Sequence, residues 1–262
     1  MTKIQSVDQH ELTKFINEHI AEFHDARLNA LKKVKLEEIL KKKNPYLFKA
    51  KNIQTCEELI RVLLDAFLSS QEETIFGEFL EKLAIFVCGK TRSGYKSGIP
   101  GVDLEIEEGN TRYIIAIKSG PKWSNKSSLS AMKEDFKKAK KTLRTQKSGI
   151  NVVAINGCCY GRDTRPDKGD YFKYCGQEFW AFISGDEDFY LEIIEPLGHK
   201  AKEKNEAFQN EYAKLINRMT IDFSLKYCKA NGEIDWETIV RLNSQKEICR
   251  IKKEKSINKE YT

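Results

Sequence analysis

Gly98-Ile99-Pro100-Gly101-Val102-Asp103-Leu104-Glu105-Ile106-Glu107-Glu108-Gly109-Asn110-Thr111-Arg112-Tyr113-Ile114-Ile115-Ala116-Ile117-Lys118-Ser119-Gly120-Pro121-Lys122-Trp123-Ser124-Asn125 is the stretch whose reading decides the fold. Residues 104–107 alternate apolar and acidic, Glu108, Gly109 and Asn110 carry turn chemistry, and Tyr113 to Ile117 form a β-branched return strand, so the stretch reads as a β-hairpin. Folding it about that turn sets Asp103 opposite Ala116. Because strand side chains alternate, Asp103, Glu105, Ala116 and Lys118 share one face, and Leu104, Ile106, Ile115 and Ile117 share the other. The second face is core, and the first sets an acid beside a lysine.

A carboxylate and an ammonium on adjacent strands, just past a Gly-Pro-Gly entry, suit metal-assisted attack of water on a phosphodiester. The acid holds a hard divalent cation through oxygen, and the lysine stabilises charge or helps deprotonate the water. The same pair also fits an ordinary exposed cross-strand ion pair, which contributes little to stability.

At 262 residues the chain is long enough for one sizeable core, and one compact unit is expected, read as an N-terminal helical region over 1–50, a central core over 51–200 and a C-terminal helical region over 201–262. Lys and Arg total 45 against 39 Asp and Glu, so a polyanion surface requires segregated charge. No apolar run is long enough to cross a bilayer, which predicts a soluble cytoplasmic protein with no membrane partner. The seven cysteines lack the paired spacing of structural zinc and read as reduced thiols.

Val7 to about Lys43 reads as amphipathic helix, with His19 and His24 one residue off a metal-pair spacing and assigned to surface or packing. Thr55 caps an expected helix with Glu58 at its third position; a second is expected after Ser69 and Ser70, with Glu78 and Glu81 in it, one of which is close enough in the chain to point at the hairpin. Residues 89–98 read as a flexible basic loop with Lys96 available to phosphate, and Ser119 to Asn125 as another, carrying Lys122, Trp123 and Asn125 as DNA-contact candidates. A basic helix from about Leu129 to Leu143, capped from Ser127, Ser128 or Ser130, holds the acids Glu134 and Asp135; Ile150 to Ile155 is a buried strand, so a parallel crossover is implied. The turn-rich segment 157–174 offers Arg162, Arg165 and Lys168 to bases or backbone. Gln177 to Ile183 reads as an aromatic core helix, Tyr190 to Ile194 as a helix stopped by Pro196, and further helices are expected around Ala207 to Lys229 and after Asp235, before a loose tail from Lys252.

The order helix, hairpin with Asp then x-x-Lys, basic helix, buried strand resembles the PD-(D/E)XK nuclease superfamily, most strongly from Glu78 to about Gly198, and the whole chain looks like a type II restriction endonuclease. The resemblance implies an α/β fold, a restriction-endonuclease-like mixed β-sheet core flanked by helices, with helical N- and C-terminal regions. It implies Mg2+, with Mn2+ able to substitute, held by Asp103 and the Ile117 carbonyl, and Lys118 as catalytic lysine. It further implies double-stranded DNA as substrate, a homodimer, and a cognate DNA methyltransferase in a prokaryotic host. Two positions depart from the pattern: Val102 replaces the proline before the Asp, and Ala116 stands where an Asp or Glu is expected. By the resemblance, Glu134 of the following helix is the substitute acid with Asp135 in reserve, Glu78 of the preceding helix is an added ligand and catalytic acid, and Glu105 is a weaker candidate. A repair or resolvase nuclease of the same fold, and a DNA-binding module that lost its acid, are the alternative functions; Ala116 is the best argument for the latter.

Overall fold

The computed structural model describes residues 6–246. The expected loose tail from Lys252 lies outside the described residues. In chain order the elements are α1 (Gln9–Lys33), α2 (Leu36–Lys42), α3 (Pro45–Ala50), α4 (Cys56–Arg92), β1 (Tyr95–Lys96), β2 (Leu104–Glu108), β3 (Thr111–Lys118), α5 (Lys126–Gln146), β4 (Asn151–Cys158), β5 (Phe172–Cys175), α6 (Gln177–Ser184), α7 (Phe189–Glu192), α8 (Ile194–Leu197), α9 (Ala201–Tyr227) and α10 (Trp236–Ser244). No helix of the described residues is long and apolar enough to cross a membrane.

The architecture is an α/β fold, a mixed sheet with helical flanks. Its strand order is β1-β2-β3-β4-β5, with β1, β2 and β3 antiparallel and β3, β4 and β5 parallel. The hairpin closes on Gly109 and Asn110, with Gly109 at φ 59°, and its register pairs Leu104 with Ile115; just before β2 the Asp103 N–H donates to the Ile115 carbonyl at 2.8 Å. The pleat then sorts the side chains. Leu104, Ile106, Ile115, Ile117 and Ile155 pack with α1, α4 and α6. Ile114, Ala116, Val152 and Ala154 pack on the other face against Met132, Phe136, Ala139 and Leu143 of α5.

Several elements depart from the sequence reading, each for a physical reason. Ser69 and Ser70 do not break the helix that Thr55 caps through the Glu58 amide at 3.2 Å; α4 runs on to Arg92, because two serines cost little in a helix otherwise rich in strong formers. The supposed basic loop over 89–98 holds the end of α4 and β1, which borrows its pairing from β2. Helix α5 begins at Lys126 and is capped by Asn125, whose side chain accepts from the Ser128 amide at 2.9 Å. Strand β5 lies inside what reads as irregular loop, paired in parallel to β4 although its own sequence shows no clean alternation. Pro196 sits within the short α8, near its start, where its missing N–H costs nothing.

Within the described residues the chain forms two compact units. One comprises the chain up to Lys32 together with Leu68–Glu211 and contains the whole sheet. In it His19 shares a hydrogen bond with the Phe15 carbonyl at 2.9 Å and stacks on the Phe15 ring, the packing role its spacing suggested. The other comprises Lys33–Phe67 and the chain from Tyr212 on, and is helical. Asn44 caps α3 there and Asp235 caps α10, while the Asn243 amide donates to the carbonyls of Leu40, Lys41 and Lys43.

Candidate active site

The carboxyl ends of β3 and β4 are where an open α/β sheet exposes unpaired backbone and where ligands ordinarily bind. Asp103 stands there, one residue before β2 begins, so the Ile117 amide meets its side chain instead of a strand carbonyl: Asp103 Oδ2 accepts from the Ile117 N–H at 2.7 Å. A strand residue's N–H and C=O open on the same edge, so the Ile117 carbonyl also faces the Asp103 side. Lys118 Nζ lies 3.9 Å from Asp103 Oδ2, with both side chains about one-third exposed or less. At that separation the pair is an ion pair without a tight hydrogen bond.

A second carboxylate comes from α4. Glu81 feels the charges of the site: burial, and next the Asp103 charge, with a smaller part from Glu78, push its carboxyl above the usual glutamate range, while Lys96 and Lys118 pull it down. Lys96 Nζ is 3.8 Å from Glu81 Oε1. The close approach that brings α4 here is marked by Gly77, one turn before Glu81, where a Cβ would come 2.6 Å from the Ser119 hydroxyl. On a 3.6-residue wheel Glu81 borders the stripe that packs on the sheet, beside Gly77, whereas Glu78 falls nearly opposite that stripe and is exposed.

The other predicted residues are distributed as follows. Glu134 is exposed and lines a groove of about 870 Å³ with Lys133, Lys137, Lys140, Lys141 and Arg144, because two residues beyond buried Met132 a helix has turned to its far side. Asp135 instead packs against the backbone of Gly101, whose φ is +77°. Glu105 is 3% exposed and engaged by Arg112 Nε at 2.8 Å and the Ser97 hydroxyl at 2.6 Å. The structure therefore brings together Asp103, Lys118 and the Ile117 backbone, sets Glu81 within the field of their charges, and leaves Glu134 and Glu78 exposed. Gly77, an unexplained glycine in a helical run four residues before Glu81, was the signal that could have selected Glu81 from sequence.

Among the DNA-contact candidates, Asn125 is committed to the cap of α5, and Lys168 pairs with Asp163 at 2.9 Å. Despite burial, the bonds from Lys168 and the Arg165 amide and the charges of Lys168 and Lys173 hold Asp163 below the usual carboxylate range. Lys122, Arg162, Arg165 and Lys96 are exposed. The 160–168 loop is pinned to the loop after Lys118: Lys173 Nζ donates to the Pro121 carbonyl at 2.9 Å, and Gly120 and Gly161 let the Tyr160 ring and Pro121 approach their backbones. Trp123 donates to Asn156 Oδ1 at 3.1 Å and lies beneath Lys118.

Among the described residues no three His, Cys, Asp or Glu side chains stand together as a metal-holding group. Two carboxylates and a carbonyl are nonetheless hard oxygen donors of the kind Mg2+ accepts alongside water. Burial is the first cause of the raised Glu81 carboxyl and the Asp103 charge only the second, and a divalent cation would offset that second part.

The sequence matches the family profile described as type II restriction endonuclease EcoO109I over residues 10–205. No curated protein matches the chain.

Proposed function

This chain belongs to the EcoO109I family of type II restriction endonucleases, and we propose that it hydrolyses both strands of DNA at a short recognition sequence in a Mg2+-dependent reaction. What supports the metal-dependent reading is one juxtaposition: Asp103 lies against the Ile117 backbone at a strand end beside Lys118, with the Glu81 carboxyl within the field of the Asp103 charge. Asp103, Glu81 and the Ile117 carbonyl would hold the ion. When bound, it would neutralise charge on the scissile phosphate and lower the pKa of the attacking water. Lys118 Nζ orients that water and meets the charge that develops on the phosphoryl oxygens. Lys122, Arg162, Arg165 and Lys96 grip or read the duplex from the loops around the site.

Cutting both strands of a symmetric site calls for two copies related by a two-fold axis, so the acting species is a homodimer, and a methyltransferase of the same specificity protects the host DNA. Plasmid DNAs of known sequence, treated with Mg2+ or with chelator, test the reading. Discrete fragments in Mg2+ alone are expected, with Asp103→Ala and Lys118→Ala each slowing cleavage on the order of 1,000-fold while DNA binding persists. Metal-independent cutting, or full activity in either variant, would overturn it.

A further inference from the structure

Lysine carries its charge on a flexible four-carbon stem, and an ammonium that must meet one phosphoryl oxygen needs more than one neighbour to hold it. Asp103, at 3.9 Å, restrains Lys118 from one side only. A second neighbour is the Trp123 ring, whose centroid lies 5.4 Å from Lys118 Nζ, inside the range of a cation–π contact. The indole is fixed in turn by its Nε1–H bond to Asn156 Oδ1 at 3.1 Å.

Asn156 is the unusual member. It is 1% exposed in a strand whose neighbours Val152, Ala154 and Ile155 are core, and a buried amide there is costly unless bonded. Its Nδ2 donates to the Ala116 carbonyl at 3.2 Å, and its Oδ1 accepts from the indole and from the Cys158 thiol at 3.8 Å. It pairs in register with Ala116, on the same face of the sheet. The alanine methyl leaves that face open to the indole, which packs against the core that includes Ala116.

We infer that Trp123 and Asn156 form a positioning pair: Asn156 sets the indole, and the indole face and Asp103 together aim the Lys118 ammonium at the reacting phosphate. This rests on Lys118 acting in cleavage, and it gives Trp123 a role through Lys118 instead of through DNA.

The test compares Trp123→Leu, Trp123→Phe and Asn156→Leu, alone and in the Lys118→Ala background, by single-turnover cleavage in Mg2+ and by DNA affinity in Ca2+. Loss of the ring in Trp123→Leu is expected to slow cleavage about tenfold with affinity unchanged, and Trp123→Phe, which keeps a π face, recovers part of the rate. In Lys118→Ala, whose residual cutting is already slow, Trp123→Leu is expected to change little, since both substitutions remove the same interaction. Should Asn156→Leu fail to fold, as its melting curve would report, the two Trp123 variants decide alone. The inference is overturned if Trp123→Leu cuts at the normal rate, if it slows both backgrounds equally, or if affinity falls in step with rate. Normal cutting by Lys118→Ala would overturn both this inference and the catalytic assignment, whereas an inert Lys118→Ala with an indifferent Trp123→Leu removes the positioning pair alone.

Discussion

Two helices flank the hairpin, each carries a candidate glutamate, and the two present that glutamate differently. Helix α4 packs on the Leu104/Ile115 face, and Gly77 lets its backbone press close to Ser119, so Glu81 one turn later feels the Asp103 charge. Helix α5 packs on the Ile114/Ala116 face through Met132, Phe136, Ala139 and Leu143, and this stripe turns Glu134 outward among lysines. The family resemblance favoured α5; helix phase favours α4. On the proposed reading, a substitute ligand comes from the helix whose backbone can approach the strand end.

The first way to break this comparison is to restore an acid on the strand. Ala116 is 1% exposed among the residues facing α5, so Ala116→Glu must bury a carboxylate and overpack that core. A loss of stability of about 2–3 kcal/mol is expected, read by denaturant unfolding, and combining it with Glu81→Gln should not recover cleavage. Recovery would mean that the strand position still accepts a ligand and that α4 is dispensable.

A smaller effect sharpens the same contrast through pH. Glu81 must lose its proton to hold a cation, and its folded-state carboxyl is raised, so cleavage should fail on the acid side at a higher pH than an ordinary glutamate would dictate. The same shift makes the folded state hold that proton more tightly than the unfolded chain does. The Glu81 charge therefore costs stability near neutrality, a cost removed as pH falls through the raised value. Without metal, Glu81→Gln should melt slightly higher than the parent protein at pH 7 and the gap should close in acid. An acid limb of activity unmoved by added Mg2+, or a lower melting point for Glu81→Gln at pH 7, would count against a strained Glu81.

Much of this was written in the local pattern. The alternation over 104–107, the Gly109-Asn110 turn and the β-branched return strand fix the hairpin, its register and both of its faces, and hence Asp103 beside Lys118. The apolar run at 150–155 and the basic helix before it fix the parallel crossover. Strand β5 escaped notice because its few residues are stabilised by pairing with β4 and have no alternation of their own. Glu81 escaped because the apolar stripe of α4 serves two partners: Phe76 and Phe86 meet Phe23 and Phe15 of α1, while Phe79, Leu83 and Val87 lie in the core shared with the sheet. Summed in sequence, the two stripes put Glu78 and Glu81 alike on the polar side. The link from Trp123 to Asn156 joins a loop to a buried strand, and such a contact leaves no periodic trace.

The most direct measurement is the cleavage rate of Glu81→Gln beside Glu134→Gln, each in saturating Mg2+ on the same DNA. Glu81→Gln is expected to lose on the order of 100-fold or more, as for loss of a group that holds the ion, and Glu134→Gln to stay within about twofold of the parent. A slow Glu134→Gln together with an unimpaired Glu81→Gln would contradict the assignment of the second carboxylate to α4.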